Sequence, residues 1–419
     1  MSSFVPEGWS KSKLGEISHL TMGQSPSSET YNHEGIGLPF YQGKTDFGAH
    51  NPKVRVWCSE PSKVANENSI LFTVRAPVGD VNITLTQCCI GRGLAAINGT
   101  LADQSFLYQQ IQFVKHQFTL LAQGSTFEAV NGSEMREFPL LLPPTSEQQK
   151  IAQILTSVDE VIEKTQAQID KLKDLKTAMM QELLTKGIGH VEFKDSPVGM
   201  IPVGWDCVKM NKIAKVTDGA HFTPTYMTKG VPFLRVTDLK NKSIFNGNIK
   251  FIPLNEHEEL IKRCNPEKGD ILFSKNGTIG LTRLIDWDDE FSIFVSLALI
   301  KILSNKVTPE YLAMFMESPI VKYQIKMRSK QGSVTNLHLE EIREFDIPLP
   351  SVVEQTAIIK MLSSIINKLD SVEKKHENLV NLKKALMQNL LTGKVRLPEE
   401  FIAQFENELE ETNIKLTAQ

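Results

Sequence analysis

The chain has 419 residues, 41% of them hydrophobic, and a formal net charge of −3 at pH 7. This length allows two globular domains with connecting helices, and no run of about 18 apolar residues predicts a membrane span. The charge lacks the basic surplus typical of a free-standing nucleic-acid-binding protein. If this chain binds DNA, its basic groups must be concentrated on one face, or a partner must supply phosphate contacts.

Cysteine usage predicts a reducing, cytoplasmic location. The five cysteines contain no Cys-x-x-Cys pair, which disfavours both a disulfide framework and a zinc site. The first residues, MSSFVPEGWSKSK, contain no apolar stretch of the kind found in a signal peptide.

Residues 1–145 predict a first α+β domain. A β-rich run at Ser69–Val74 lies between turn-forming residues, and a helix is predicted at about Asp103–Leu121. An apolar strand at Phe138–Leu142 leads into the next element.

Residues 146–189 predict a long helix of the coiled-coil type. With Ile151 as heptad position a, most a and d positions are apolar, and so narrow an apolar seam requires a partner helix. Ser146 and Gln149 have the spacing of a capping box, and Gly187 stands where the helix would end. A core helix of a bundle would carry the same pattern.

Residues 190–350 predict a second α+β domain. Its first part, 190–202, is rich in proline and glycine and is interpreted as the linker between the halves. The predicted elements are strands at Ile271–Ser274, within Phe291–Ile302 and at Phe345–Leu349, and a helix at Pro309–Arg328 that breaks near Pro319.

Residues 351–393 predict a second long helix that repeats the first without a gap. Arg-Glu-Phe, a short apolar run, a proline and Glu-Gln precede each copy. Identical matching residues include Leu172 and Leu379, Lys176 and Lys383, Met180 and Met387, Gln181 and Gln388, and Leu184 and Leu391. The duplication favours an antiparallel helix pair within the chain, in which His376 at a d position would mark the register. Residues 394–419 predict an acidic C-terminal tail.

The two globular domains repeat each other more faintly. Pro6 to Trp9 corresponds to Pro202 to Trp205, Thr45-Asp46 corresponds to Thr237-Asp238, and Ile70–Gly79 corresponds to Ile271–Gly280. The predicted fold is therefore α+β, with two tandem α/β domains separated and followed by long helices. The helices would pair as an antiparallel coiled coil with pseudo-two-fold symmetry.

Catalytic motifs are missing from the sequence. Gln42 to Thr45 resembles the end of a phosphate-binding loop, but five residues separate Gly37 from Gly43 where the motif requires four, and Pro39 lies among them. No hydrolase, zinc-protease or dinucleotide fingerprint occurs, and the histidines lack metal-ligand spacing.

A duplicated domain on a rigid spacer suits the reading of two half-sites on duplex DNA. The whole chain resembles the specificity subunits of type I restriction–modification enzymes. The resemblance rests on Leu175–Thr185 and Leu382–Thr392, on Gly23 to Pro26, on Asp218 to His221 followed by Thr223-Pro224, and on the two Leu-Phe-Thr/Ser turns.

The resemblance implies a non-catalytic subunit. Each domain would be a target-recognition domain for one half of a bipartite, asymmetric site in double-stranded DNA. Two methyltransferase subunits would bind around the helices, and two motor/nuclease subunits would complete the restriction complex. S-adenosylmethionine, ATP and Mg would be bound by those partners, so no cofactor is expected in this chain. Two alternatives stay open: a self-contained DNA-methylating or DNA-cleaving enzyme, and a duplicated scaffold that binds protein only.

Side-chain chemistry supplies the candidate contacts with DNA. Arg and Lys donate to guanine, Gln and Asn bracket adenine, and hydroxyl groups hold phosphate. The candidates are Gln24, Ser25, Tyr31, Gln42, Lys44, Arg75 and Arg92 in the first domain, and His221, Thr223, Tyr226, Arg235, Lys275, Asn276, Arg283, Lys326, Arg328 and Lys330 in the second. The predicted partner-binding residues are Met180, Gln181, Leu184, Met387, Gln388 and Leu391.

Overall fold

The computed structural model describes residues 5–123, 128–240, 249–328 and 336–404. The chain divides into two compact units, unit 1 (Met1–Gln166 and Lys374–Gln419) and unit 2 (Ala167–Glu373). Each unit therefore combines one globular domain with about half of each long helix.

Unit 1 contains the first set of strands and helices. Its strands are β1 (Ser10–Lys13), β2 (Ser18–Met22), β3 (Tyr31–Asn32), β4 (Leu38–Tyr41), β5 (Trp57–Cys58), β6 (Val64–Ala65), β7 (Ile70–Thr73), β8 (Val81–Ile83), β9 (Cys88–Ile90), β10 (Leu94–Gly99) and β11 (Pro139–Leu142). Its helices are α1 (Leu14–Ile17), α2 (Gln104–Phe113), α3 (Lys115–Gln123), α4 (Gly132–Glu137) and the start of α5 (Thr145–Leu183).

Unit 2 follows the same plan. Its strands are β12 (Phe193–Lys194), β13 (Ile201–Pro202), β14 (Asp206–Lys209), β15 (Ala214–Asp218), β16 (Val231–Leu234), β17 (Lys250–Ile252), β18 (Ile271–Ser274), β19 (Thr282–Leu284), β20 (Ser292–Ile293), β21 (Leu297–Ile302) and β22 (Asp346–Leu349). Its helices are α6 (Leu254–Ile261), α7 (Pro309–Met316), α8 (Pro319–Arg328), α9 (Leu339–Arg343) and the start of α10 (Val352–Leu390).

Each unit is built on a four-stranded antiparallel sheet. The strand order is β2-β10-β7-β8 in unit 1 and β15-β21-β18-β19 in unit 2. A second sheet contains one parallel pair in each unit, β4 with β9 and β16 with β20. The central strands β7 and β18 are buried along their whole length, which explains why their sequences are continuously apolar rather than alternating.

The main core of each unit lies between this sheet and the helices that follow it. In unit 1, Phe118 of α3 stacks on Phe138 with ring centroids 3.8 Å apart and meets Phe72 of β7 edge-on at 4.9 Å. In unit 2, Phe273 of β18 meets Phe345 edge-on at 6.3 Å. Burial of each such ring stabilises the fold by roughly 1.5–3 kcal/mol.

The Glu-Gln pair at the start of α5 fastens that helix to the domain of unit 1. Trp9 Nε1 donates to Glu147 at 3.1 Å. Gln148 donates to the carbonyl of Pro143 at 2.8 Å and accepts from the backbone N–H of Asp103 at 2.7 Å. Because Asp103 is also the N-cap of α2, one glutamine joins two helix starts.

Unit 2 repeats this arrangement with its own residues. Trp205 Nε1 donates to Glu354 at 2.9 Å, and Gln355 donates to Pro350 O at 3.0 Å and accepts from Thr308 N at 2.9 Å. Thr308 is the N-cap of α7. The side chains of Trp and Glu-Gln that recur in the sequence are therefore contacts between domain and helix.

The capping box predicted for α5 is absent, and the start of α10 has only half of one. In α10, Ser351 Oγ accepts from Glu354 N at 3.2 Å, but the Glu354 carboxylate turns to Trp205 instead of returning to Ser351. Helix α5 begins at Thr145, so Ser146 lies inside the helix and is not its cap. The competing tryptophan N–H explains the difference, since it is buried and requires an acceptor.

The long helices contact each other within each unit. In unit 1, Ile151 and Leu155 of α5 share a buried cluster with Leu390, the last residue of α10, and with Leu391 that follows it. In unit 2, the corresponding cluster contains Ile169, Leu369 and Val372. Polar d positions are accommodated by ion pairs, since Lys383 lies 2.6 Å from Asp159 and Lys176 lies 4.0 Å from Glu317.

Other sequence predictions are corrected in detail. The helix expected at Asp103–Leu121 is interrupted at Val114 and forms α2 and α3. The linker at 190–202 contains a small antiparallel hairpin, β12 with β13. The predicted tail is described up to Gln404, with helical residues from Glu399, and the remainder lies outside the described residues. Within the described parts of the chain, no helix is long and apolar enough to cross a membrane.

Candidate nucleic-acid interface

One edge of unit 1 brings together loops that follow β2, β4 and β9. Gln24 N donates to Ile90 O at 3.0 Å, and Arg92 N donates to Ser25 Oγ at 3.3 Å. Gly23 permits this approach, because a Cβ atom there would lie 2.2 Å from the carbonyl oxygen of Gly91. The exposed side chains of Gln24 and Arg92 therefore emerge side by side.

Arg75 and Gln42 extend the same edge. Arg75 is exposed directly after β7, and the preceding Val74 donates its N–H to Gly93 O at 3.0 Å, beside Arg92. Gln42 is exposed after β4, and its carbonyl oxygen would lie only 2.3 Å from a Cβ atom at Gly93. The structure thus groups five predicted residues, Gln24, Ser25, Gln42, Arg75 and Arg92.

Tyr31 supports this edge more than it projects from it. Its ring is half-buried and stacks on Phe40 at 4.7 Å, and its hydroxyl donates to Pro26 O at 3.1 Å. Burial, assisted by the neighbouring thiols of Cys58 and Cys89, raises the pKa of Tyr31, so the phenol is neutral at physiological pH.

Lys44 is exposed but already has an acidic partner. Its ammonium lies 3.0 Å from Asp80, and Lys115 lies 2.5 Å from the same carboxylate. Burial alone would raise the pKa of Asp80, but the hydrogen bonds and charges of Lys115 and Lys44 outweigh it and lower the pKa below its ordinary value. Two lysines on one carboxylate leave a net positive charge at this place.

A buried aspartate beside the unit 1 loops was not among the residues predicted from the sequence. Asp46 is 8% exposed; one carboxylate oxygen accepts from Gln42 N at 2.7 Å, and the other accepts from Arg55 Nε at 3.1 Å. The corresponding Asp238 of unit 2 accepts from Arg235 N at 2.8 Å and from its guanidinium at 3.1 and 3.2 Å. The repeated Thr-Asp pair was the available sequence signal, and its aspartate is an arginine acceptor in both units.

A second aspartate organises the loop edge of unit 2. Asp218, at the end of β15, is 3% exposed and lies 3.1 Å from His221 Nε2 and 3.4 Å from Lys275 Nζ. Arg263 Nη2 donates to the same carboxylate. Arg263 was not among the predicted residues, because nothing in its local sequence separates it from an ordinary surface arginine.

Asp218, His221 and Arg263 line a cleft of about 190 Å³, and Phe222 and Cys264 also lie in its wall. His221 and Arg263 are more than half exposed at the mouth, whereas Lys275 is 7% exposed. The burial of Lys275 does not fit direct contact with DNA; its ammonium neutralises Asp218 in the core.

The other candidates of unit 2 divide by exposure. Thr223 and Tyr226 are exposed, and Lys250 lies over the Tyr226 ring at 5.6 Å. Asn276 follows β18 and has a buried side-chain oxygen without a hydrogen bond among the described residues. Arg283 is half-buried on β19.

The predicted basic group at the end of α8 is only partly described. Lys326 is exposed, and Arg328 donates to Glu344 O at 2.8 Å and to Asp346 at 3.2 Å. Lys330 lies outside the described residues. Arg328 therefore fastens α8 to β22, which limits its freedom to contact a ligand.

The predicted partner-binding residues are mixed. Met180, Leu184 and Leu391 are buried in the cores, Met387 is half-buried, and Gln181 and Gln388 are exposed. In unit 1, Gln388 and Leu391 line an apolar cleft of about 410 Å³ together with Val5, Lys11 and Phe113. Burial suits a supporting role for the three core residues, and the exposed glutamines remain predicted contacts.

The residues at these edges suit hydrogen bonding and charge recognition rather than metal chemistry. In the parts of the chain that the structure describes, no group of three or more His, Cys, Asp or Glu side chains could hold a metal ion. Burial raises the pKa of Cys88 to about 11 and, with Cys58 beside it, that of Cys89 to about 12, so neither thiol is a ready nucleophile.

Comparison with known proteins identifies what this architecture is similar to. The profile of the family described as "Type I restriction modification DNA specificity domain" matches twice, at residues 6–174 and 202–382. The MjaVIII specificity subunit of a type I restriction enzyme from Methanocaldococcus jannaschii is 24% identical over 419 residues, which cover 94% of each chain. A putative MjaX specificity subunit from the same organism is 38% identical over 185 residues, which cover 43% of this chain and 44% of that one.

Solved structures share the fold. The S subunit of a type I restriction–modification system from M. genitalium superposes with a TM-score of 0.59 at 17% identity, covering 93% of this chain and 97% of that one. A chain from a study of complex assembly and conformational transition of the type I R-M system gives a TM-score of 0.58 at 18% identity, covering 94% and 100%.

Proposed function

We infer the function from the family: this chain belongs to the type I restriction–modification specificity subunits, and its role is sequence-specific recognition of DNA. Each α/β domain reads one half of a bipartite, asymmetric site in double-stranded DNA. The observation that carries this proposal is the repetition of one architecture, with the same sheet order and the same Trp-Glu-Gln fastening, in two units whose loop edges carry different side chains. A common scaffold with different loops suits two different half-sites.

The long helices are proposed to pair as an antiparallel coiled coil with pseudo-two-fold symmetry, which sets the distance between the half-sites. The buried contact of Ile169 with Leu369 and Val372 and the ion pair of Lys173 with Glu373 at 3.2 Å support this pairing. Insertion of one or two whole helical turns in both helices should lengthen the spacer of the target and leave both half-sites unchanged. A change in the half-sites would contradict a passive spacer.

The chain itself is proposed to be non-catalytic. Two methyltransferase subunits, docked around the helices through residues such as Gln181 and Gln388, supply S-adenosylmethionine chemistry, and two motor/nuclease subunits supply ATP- and Mg-dependent cleavage. The absence of catalytic motifs from the sequence supports this division of labour. The purified chain, incubated with DNA and S-adenosylmethionine, should transfer no methyl group until a methyltransferase partner is added.

Sequencing of methylated bases tests the central proposal. Cells that carry the partner subunits, with and without this chain, should differ by one bipartite methylation pattern. If no such pattern depends on the chain while the partners are present and active, DNA recognition is rejected in favour of a protein-binding scaffold.

A further inference from the structure

Each unit holds one exposed arginine against a buried aspartate at its loop edge. In unit 1, Arg55 is 57% exposed and Asp46 8%. In unit 2, Arg263 is 58% exposed and Asp218 3%. We propose that Arg55 and Arg263 each read a guanine in the major groove, one in each half-site, and that Asp46 and Asp218 are the positioning residues that aim them. This inference rests on the proposed DNA-recognition function.

The contacts of Arg55 leave one end of its guanidinium facing outward. Nε donates to Asp46 Oδ1 at 3.1 Å, and Nη2 donates to Asp46 and to Thr45 Oγ1 at 3.2 Å. Among the described residues, Nη1 has no acceptor. Nη1 therefore keeps both of its N–H groups free, and the contact of Nη2 with Thr45 Oγ1 is exposed. When DNA displaces that one contact, Nη1 and Nη2 can meet the O6 and N7 acceptors of guanine end-on while Asp46 still holds the Nε–Nη2 side.

Asp46 is itself prevented from turning. Its Oδ2 accepts from the backbone N–H groups of Gln42 at 2.7 Å and Gly43 at 3.2 Å. Both oxygens of the carboxylate are therefore occupied, one by the turn and one by Arg55. The turn after β4 fixes the carboxylate, and the carboxylate fixes the arginine.

Arg263 is held by a longer chain of charges. Asp218 contacts Arg263 Nη2 and His221 on one oxygen and Lys275 on the other, at 3.4 Å. Lys275 compensates the buried carboxylate from the core side, and the other oxygen of Asp218 holds Arg263 at the cleft mouth. Nη2 also lies 3.1 Å from His221 Nε2 in an exposed contact, whereas Nε and Nη1 of Arg263 have no acceptor among the described residues. Guanine O6 and N7 can meet Nη1 and Nη2 as a fork when His221 moves aside.

This restraint favours contact with a base over contact with phosphate. A phosphate contact needs charge and tolerates a flexible side chain, whereas a bidentate contact with guanine needs a fork held in one orientation. The buried carboxylate neutralises much of the arginine charge, which reduces its contribution to counterion release, and it removes rotamer freedom before DNA is bound.

The experiment uses the full chain with its methyltransferase partners and duplexes that carry every single substitution in the target found by methylation sequencing. Arg55→Ala should lose about 10- to 100-fold in affinity for the target and become indifferent to the base at one G·C pair. Arg263→Ala should do the same at one G·C pair of the other half-site. Arg55→Lys and Arg263→Lys, which keep the charge but not the fork, should also lose base preference.

The positioning residues give a separate readout. Asp46→Asn and Asp218→Asn should weaken discrimination at the same base pairs without making the salt dependence of affinity shallower, because each arginine keeps its charge and loses the carboxylate that neutralised it. Lys268→Ala is the control, since Lys268 and its partner Asp288 are 56% and 80% exposed, and base preference should be unaffected. Thermal unfolding of each variant separates loss of fold from loss of recognition.

Two outcomes would overturn the inference. If Arg→Ala weakens binding equally on all duplexes and makes the salt dependence shallower, the arginines contact phosphate. If both Lys variants retain full base preference, orientation by the carboxylate is irrelevant. In either case the proposed function is still supported if the wild-type chain directs a bipartite methylation pattern. If the wild-type chain directs no such pattern, the proposed function itself is rejected.

Discussion

The two units carry different chemistry at the same place in the same sheet. Met22 ends β2 in unit 1 and pairs with Ala95 of β10; Asp218 ends β15 in unit 2 and pairs with Ala298 of β21. The backbone register is identical. One unit therefore has a thioether in contact with its core where the other has a buried carboxylate.

The compensating difference lies two strands away in the same sheet, across β10 in unit 1 and across β21 in unit 2. Val74 and Lys275 occupy equivalent positions after β7 and β18. The N–H of Val74 donates to Gly93 O at 3.0 Å, just before β10, and the N–H of Lys275 donates to Ser296 O at 2.9 Å, just before β21. Val74 is 3% exposed, and Lys275 is buried beside Asp218. An apolar pair has been exchanged for an ion pair without altering the backbone contacts.

This exchange indicates that the scaffold tolerates changes at its loop edge. A buried ion pair contributes little net stability over an apolar pair, because desolvation of both charges offsets their attraction. The ion pair of unit 2 can also hold an arginine, since Asp218 accepts from Arg263, whereas the apolar Met22 and Val74 of unit 1 offer no acceptor side chain. In unit 1, the carboxylate that holds the exposed arginine comes from a neighbouring loop, where Asp46 accepts from Arg55.

The largest effect is expected when the ion pair is broken on one side. Asp218→Ala leaves the Lys275 ammonium buried without its partner and should lower the free energy of unfolding by about 3–5 kcal/mol. The double variant Asp218→Met with Lys275→Val, which copies the pair of unit 1, should recover most of that loss in chemical denaturation. If the double variant is no more stable than the single one, the two positions are not interchangeable.

A smaller effect, equal in both units, is expected at the helix starts. Gln148→Ala and Gln355→Ala each remove two contacts: the acceptor of a partly buried backbone N–H, of Asp103 or Thr308, and the buried donor to a proline carbonyl, of Pro143 or Pro350. Each variant should cost about 1–3 kcal/mol. Urea unfolding of both variants measures the two costs. A cost confined to one unit would show that the repeated contacts are not energetically equivalent.

The smallest effect concerns the pH dependence of unit 1. The pKa of Asp80 is lowered by Lys115 and Lys44, so its ion pairs stabilise the fold above the ordinary value of 3.8 and this contribution is lost as pH falls through the lowered pKa. Asp80→Asn should cost roughly 1 kcal/mol at pH 7 and progressively less at acidic pH.

Unit 2 supplies the opposite sign as a control for that measurement. Burial raises the pKa of Asp270, only partly opposed by Lys301, so ionised Asp270 opposes folding until pH falls through the raised pKa. The stability difference of Asp270→Asn should therefore move with pH in the opposite direction to that of Asp80→Asn. Parallel curves for the two variants would contradict these assignments.

The sequence predicted a helix or strand well where a single periodicity or a single residue type determined it. The narrow apolar seam gave both long helices, and the break near Pro319 is confirmed by the separation of α7 from α8. The interruption of the helix at Val114 has no comparable signal in the sequence, since neither proline nor glycine occurs there. Its position depends on packing of α3 on the sheet, which the sequence does not display.

The candidate site was predicted less completely than the fold. Gln24 and Arg92 were predicted to contact DNA because turns carry polar side chains; both are exposed, and their contact with DNA stays a prediction. Arg55 and Arg263 were not predicted, and Lys275, predicted to contact DNA, is buried. The ion pair of Asp218 with Arg263 joins residues 45 positions apart, which a local sequence pattern does not show.

The sequence by itself determined the duplication, the long helices and the α+β character of both domains, because periodicity, turn residues and repeated motifs can be recognised within short segments of the chain. Only the tertiary structure decided which polar residues meet. The sheet of unit 2 places Asp218 and Lys275 at the ends of two strands separated by β21. In unit 1, the loop after β4 returns Arg55 to Asp46, with Lys53 N donating to Asp46 O at 2.7 Å. The two buried carboxylates then orient the exposed arginines. These are long-range consequences of packing, and they determine which side chains of the loop edges are held ready for a ligand.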